Sequence, residues 1–328
     1  MVIFNERYNK LVEQYIVPLL PYNISYSKLS QAALQDLILR KDKKNIVVTK
    51  ADQIIYYFSK DELLKALLND IDLFFIRVLL QQRAVSIQHN HTKDQSVNWR
   101  IVTDYYYSFF LAGLLLRLCH RGTFYFDETA KKKINQEATN YTGNVASIGS
   151  NCSFQITINE KDSEYSLTLT STGSKTHELV WEQVAKLLED IKALSTLKSD
   201  EYTTLCSIIE VNNKQKKTYP SQLRNLVNYR PYHGVKEVER AYFAPNPTVL
   251  DSRWLEPLLT FTRKVDDEQQ QINLFCGYVR YLQMLTFDLI HEYYERRGRG
   301  NGILSAINKD RTEKITLPPK CYSYLTDS

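Results

Sequence analysis

The sequence predicts a mainly α-helical protein, a helical bundle carrying a small antiparallel β insertion. Three observations predict it. Trp99–Cys119 has apolar side chains nearly all round a helical wheel, which places that helix at the centre of a core. Residues 267–296 repeat Phe275, Val279, Leu282, Leu285, Leu289 and Tyr293 at steps of three or four, the spacing of one helix face. Between them, Cys152–Ile158 and Tyr165–Thr170 alternate with a period of two around a polar turn at 159–163, the pattern of a hairpin.

In chain order, residues 6–20 read as a short helix ended by Pro18 and Pro21. Ser27 is placed to cap a helix over 28–39. A basic linker (40–44) follows, and then two short apolar runs, 46–49 and 54–58, that fit strands or helix fragments equally. Ser59 with Asp61 and Glu62 marks the start of a helix over 60–82 with a wide apolar face. Gly113 permits close approach to the central helix, and Gly122 is expected to end it. Thr123–Phe126 is strand-like, and the polar stretch 127–150 reads as a long loop. Helices are expected at 177–194 and 201–211, with a polar, basic break over 212–220. Ser221 or a neighbour is placed to cap a short helix ending before Pro231. A proline-containing linker (243–252) precedes a short helix from Asp251 toward Leu259. Residues 1–122 are thus the N-terminal helical part, 123–175 the β-hairpin insertion, and 176–328 the C-terminal helical part that completes the bundle.

Composition narrows the function classes. The chain has 328 residues, enough for a sizeable core, and a formal net charge of +5, which permits a polyanionic partner without demanding one. It has 23 tyrosines, an enrichment that AT-rich coding bias explains as well as a base-stacking groove does. Its five cysteines, at 119, 152, 206, 276 and 321, contain no Cys-x-x-Cys pair. That argues against a disulfide framework and a structural zinc site, and fits the cytoplasm. Met1–Arg7 lacks a basic start followed by an apolar run, and the longest apolar stretch, Phe109–Leu116, is far short of the roughly 20 residues that span a bilayer. The expectation is a cytoplasmic protein with no membrane contact. No Walker loop, nucleophile elbow or His-Glu-x-x-His occurs.

Polar groups that suit chemistry concentrate around 220–240. Residues 211–240 hold seven Lys or Arg against two Glu, a local surplus of +5. Arg224, Arg230, Tyr229, Tyr232 and His233 interleave there, and Arg224, Asn225 and Asn228 share one face of a helix. A guanidinium forks onto phosphate while an aromatic ring stacks on a base. A buried Arg and Asn tying a loop to the core would leave the same pattern. Arg117, His120 and Arg121 close the central helix, where cations suit the C-terminal dipole. Arg117 and His120 join the binding set if the helices pack so as to bring that end to Arg224.

The central Trp99, Tyr105, Tyr106, Phe109 and Phe110, followed later by Leu223, Arg224, Asn225, Asn228 and Tyr229, resemble the HEPN (higher eukaryotes and prokaryotes nucleotide-binding) superfamily and its longer bacterial YaaC-like members. The resemblance covers the helical parts, about half of the chain. It implies binding of RNA or a nucleotide, metal-independent RNA cleavage without a cofactor, a homodimer with Arg224 of each subunit facing a shared groove, and a place in bacterial defence or toxin systems. The family's histidine would fall at Tyr229, Arg230 or Pro231, none of which is His, and His233 lies beyond that spacing. In the catalytic reading Arg224 steadies phosphate charge, His233 is the base if the Pro231 turn folds it back, and Tyr229 is the remaining candidate. Asn225, Asn228, Arg230, Tyr232, Arg117 and His120 bind. The missing histidine also fits a second reading, a non-catalytic subunit whose site is kept as core and whose protein partner is encoded in the same operon.

Overall fold

The computed structural model describes residues 9–19, 33–40, 45–90, 97–159, 164–194, 200–215, 218–229 and 268–297. The architecture is mainly helical with a small antiparallel sheet, as the patterning predicts. Its helices are α1 (Leu34–Leu39), α2 (Lys60–Asn90), α3 (Val97–Leu118), α4 (Glu128–Thr142), α5 (Thr176–Ala193), α6 (Asp200–Gln215), α7 (Tyr219–Tyr229) and α8 (Glu268–Arg297).

Helix α3 is the axis of the bundle, in contact with α2, α5, α7 and α8. Ile101, Tyr105, Leu111, Leu114, Leu115 and Leu118 are fully buried on different sides of it, so it needs apolar side chains all round. Phe74 of α2 lies where a Cβ on Gly113 would stand, 2.5 Å from the ring, and the absent side chain is what lets these two helices meet. Ser59 caps α2, its hydroxyl bonded to the Glu62 carboxylate at 2.8 Å and facing the Glu62 N–H at 3.4 Å.

The end of α3 departs from expectation. His120, not Gly122, takes the left-handed conformation there, at φ 58°. Gly122 instead lies in strand β3, where a Cβ would meet the Phe154 ring at 2.5 Å. Both glycines are required for space, Gly113 where α2 crosses α3 and Gly122 beneath the Phe154 ring in a strand. Other boundaries also move. Helix α2 continues to Asn90, and α6 runs through Asn212–Gln215 into the expected break. Ser221 does not cap α7. The helix opens at Tyr219–Pro220, where proline's missing N–H falls among the groups a first turn leaves unpaired. Residues 12–16 form a π turn and 17–19 a 3-10 turn with Pro18 inside it.

The sheet is larger than a hairpin. Strands β1 (Asn45–Lys50), β2 (Gln53–Tyr57), β3 (Arg121–Tyr125), β4 (Asn151–Asn159) and β5 (Glu164–Ser171) lie in the order β1-β2-β5-β4-β3, all neighbours antiparallel. The expected hairpin is β4–β5. The two runs near 50 are strands, joined to it through Ile54 opposite Leu169 and Tyr56 opposite Leu167. Ile46, Val48, Ile54, Tyr56, Phe154 and Leu169 are buried on one face.

The expected loop at 127–150 is in large part helix α4. The Asp127 carboxylate accepts the Ala130 N–H at 2.7 Å, and Gly143 closes the helix at φ 72°. Only Ile134 and Ala138 of α4 are buried, four residues apart, so the apolar signal is one contact wide among polar side chains. The expected linker at 243–252, the helix toward Leu259 and the C-terminal tail lie outside the described residues.

Candidate functional site

A cluster of polar and aromatic side chains forms where α3, α5 and α7 meet. Helix α3 presents Tyr105, Tyr106 and Phe109. Tyr105 and Phe109 are four residues apart and their ring centroids lie 6.2 Å apart. The first turn of α5 presents His177. Thr176 beside it donates to the Asn151 side chain at 2.7 Å, which ties the start of α5 to β4. Trp181, one turn on from His177, packs its ring 6.1 Å from Tyr105 and 5.9 Å from Tyr278 of α8. Helix α7 contributes Ser221 and Arg224, three residues apart on one face.

Tyr105 is the hub. Its hydroxyl lies 2.8 Å from Nδ1 of His177 and accepts from Nε1 of Trp181 at 3.4 Å. Burial is the main reason its phenol is pushed up to about 12, against the smaller opposing effects of the Trp181 bond and the Arg224 charge. Tyr105 is therefore a protonated phenol at neutral pH. Burial also lowers the basicity of His177, and the Arg224 charge lowers it further. His177 is neutral at pH 7, with its ring 4.7 Å from Phe109. Its Nε2 has no hydrogen-bond partner among the described residues.

Arg224 is half-buried. Its Nη1 donates to the Asn225 side chain at 2.9 Å and its Nη2 to the Tyr106 hydroxyl at 3.1 Å. Its Nε is buried without a partner. The guanidinium lies 5.8 Å from the ring centres of both Tyr105 and Tyr106. Among the described residues no carboxylate pairs with it. Ring contacts of this kind contribute about 0.5–1 kcal/mol each. An anion 4 Å away at an effective dielectric of 20 contributes about 4 kcal/mol, so a bound anion outweighs both rings together. The arrangement suits a ligand that joins negative charge to a flat ring.

The other expected site residues divide. Asn225 and Asn228 are exposed on α7. Tyr229 is 72% exposed and is turned by about 140° around the helix from Arg224, so it is not part of the cluster. Arg230, Tyr232 and His233 lie outside the described residues. Arg117 and His120 do not reach Arg224. They sit at the far end of α3, about 18 Å along its axis from Tyr105. Arg117 is buried with its Nε 3.1 Å from the Asp70 carboxylate, its Nη1 donating to the Gly113 carbonyl, and its guanidinium 3.6 Å above the Phe74 ring. His120 is buried, with Nε2 2.8 Å from the Tyr15 carbonyl, and burial lowers its pKa to about 4. It carries no charge at neutral pH and cannot serve the helix dipole as a cation.

Sequence patterning missed His177. Lys175-Thr176-His177 opens a helix without the Ser, Thr, Asp or Asn cap that draws attention to such a turn. Its signal was a lone titratable ring one turn before Trp181, and lone histidines are usually structural. No family model, curated protein or solved structure matches this chain. Among the described residues no helix is long and apolar enough to cross a membrane.

Proposed function

We propose that the cluster of Arg224, His177, Tyr105 and Tyr106 binds RNA or a nucleotide through a phosphate group, in a HEPN-like protein that acts as a homodimer in a bacterial defence or toxin system. One observation carries the reading. Arg224 is a half-buried cation with aromatic rings and a neutral histidine around it and no carboxylate partner among the described residues. The unoccupied charge takes a phosphate, and the neighbouring rings take a base or sugar. The homodimer and the defence role rest on the resemblance of the α3 and α7 motifs alone.

Binding of a short fluorescent single-stranded RNA, followed by anisotropy, tests the proposal. Arg224→Ala is expected to weaken binding at least tenfold and to make its salt dependence shallower. Equal binding by wild type and Arg224→Ala, or none by wild type, would overturn it.

A second reading is favoured by the outer face of α7. Asn225, Asn228 and Tyr229 stand exposed there, and Tyr229 leaves a large aromatic ring uncovered. That face suits a protein partner encoded in the same operon, with the Arg224 cluster serving as core. Co-purification with the products of neighbouring genes tests this reading. A stable hetero-complex lost in Tyr229→Ala and unchanged in Arg224→Ala would support it over RNA binding, and retention in Tyr229→Ala would exclude that face.

A further inference from the structure

From a buried guanidinium that no carboxylate answers, we infer that Arg280 and Gln283 of α8 form a binding site for the carboxylate group of a small ligand. Arg280 is 8% exposed and Gln283 is 4% exposed. They stand three residues apart on one face of the helix, with the core residues Cys276 and Phe287 one turn to either side. The pair is separate from the Arg224 cluster. Tyr278 packs on Trp181 of that cluster, and Arg280, two residues on, points about 160° away from it around the helix.

The donors of Arg280 are only partly used. Nη1 donates to the Gln283 side-chain oxygen at 3.2 Å. Nε is buried with no partner. Nη2 makes no hydrogen bond among the described residues, and neither does the amide nitrogen of Gln283. Nε and Nη2 lie along one edge of the guanidinium. Two parallel N–H groups on such an edge match the two oxygens of a carboxylate. Gln283 fixes the guanidinium through Nη1 and adds further N–H donors beside it.

Charge decides the ligand class. Arginine does not shed its proton inside proteins, so a buried guanidinium needs a counter-charge. Among the described residues no carboxylate pairs with Arg280. The next acid along α8, Asp288, is eight residues on, about 12 Å along the axis and about 80° around it. Asp288 also has partners of its own. One guanidinium and a neutral amide answer a single negative charge. A carboxylate brings one, whereas a phosphate dianion would bury a second with nothing to meet it. An uncharged ligand would leave the cation as it was.

Depth limits what enters. So little of the two side chains reaches solvent that only the head of a ligand is seated, carried on a slim chain rather than on a base or sugar ring. Cys276 and Phe287 are buried on the adjoining turns, and an ion pair between such apolar neighbours is stronger than one in water. A bound carboxylate supplies the missing counter-charge to the folded chain alone, so binding stabilises the fold.

The test uses the full chain with acetate as the probe. Acetamide serves as the uncharged control, and chloride as a control anion at matched ionic strength. Binding is read by NMR line broadening of isotope-labelled acetate, and stability by the thermal unfolding midpoint. Wild type is expected to broaden the acetate signal saturably, to gain midpoint as acetate is added and to respond to neither control. Arg280→Met, similar in length and uncharged, is expected to lower acetate affinity by about tenfold or more. Its RNA anisotropy titration is expected to match that of wild type. Gln283→Glu supplies the counter-charge from within the chain. It is expected to raise the midpoint without acetate and to abolish the acetate response. If Arg280→Met fails to fold, the wild-type comparison and Gln283→Glu still decide. Acetate binding that is absent from wild type, undiminished in Arg280→Met or matched by acetamide overturns the site. Tighter binding of inorganic phosphate than of acetate overturns the carboxylate assignment. None of these outcomes bears on Arg224, whose RNA reading stands or falls by its own anisotropy measurement.

Discussion

The Tyr105 hydroxyl and Nδ1 of His177 lie 2.8 Å apart, joining the central helix to the first turn of a helix that starts 71 residues later in the chain. That bond closes a chain of polar groups through an otherwise aromatic layer. Tyr105→Phe removes it and leaves the Trp181 N–H without its acceptor. The expected loss of stability is about 1–3 kcal/mol, the cost of a buried polar group left unsatisfied. Urea unfolding of wild type and variant measures it, and an unchanged midpoint would show that water replaces the phenol.

The charge of Arg224 is one of two causes that lower the basicity of His177, and the smaller one. Arg224→Ala is therefore expected to raise the His177 pKa only part of the way toward the usual 6.5. An NMR titration of the imidazole Cε1 proton reads the shift directly. No shift would show that the guanidinium and the ring are not neighbours in solution.

Asp70 holds two groups at once. It faces the Arg117 guanidinium at 3.1 Å and accepts the Leu34 N–H at 3.3 Å. Asp70→Ala leaves a buried cation without its counter-charge. The expected loss is about 3–5 kcal/mol, larger than for exposed pairs such as Lys131–Glu128. Denaturant midpoints of Asp70→Ala and Glu128→Ala give the comparison.

Gly113→Ala is expected to destabilise by about 1–3 kcal/mol. The new Cβ would stand 2.5 Å from Phe74, whose ring is itself held beneath Arg117. Combining Gly113→Ala with Phe74→Leu is expected to cost less than the sum of the two single changes, since the second removes the obstacle.

His120 ties pH to stability. Its folded pKa, about 4, lies below the usual 6.5, so between these values the unfolded chain binds more protons than the folded one. Stability is complete above pH 6.5 and falls as pH drops toward 4, with a contribution of about 3 kcal/mol at 1.36 kcal/mol per unit. His177, also lowered, adds in the same direction. His120→Asn, which tolerates the left-handed backbone, is expected to flatten this slope in unfolding measurements from pH 4 to 7.

Much of the fold was legible because burial leaves a periodic trace. Trp99–Cys119 and 267–296 each bury long stripes, and α3 and α8 lie within a few residues of those bounds. Helix α4 was not legible, because it buries only Ile134 and Ala138 and its start depends on one cap. The pairing of β1 and β2 with β5 was invisible for another reason. Strand runs show a period of two but carry no mark of which distant strand they join. In the site, Arg224 and the Tyr105–Tyr106 pair stood out by charge and aromatic density. His177 did not, since 47 residues separate it from Arg224 and their nearness depends on how α5 and α7 both pack on α3.

By itself, the sequence determined which segments become buried rods, which alternate as strands and where cations gather, because each of these is set by neighbours one turn or two residues away. Only the tertiary structure decided that Arg117 faces Asp70 rather than Arg224, and that a histidine from a separate helix shares a phenol with that arginine. Those outcomes depend on helix packing angles and on which rings fill the same space, and no local pattern along the chain encodes them.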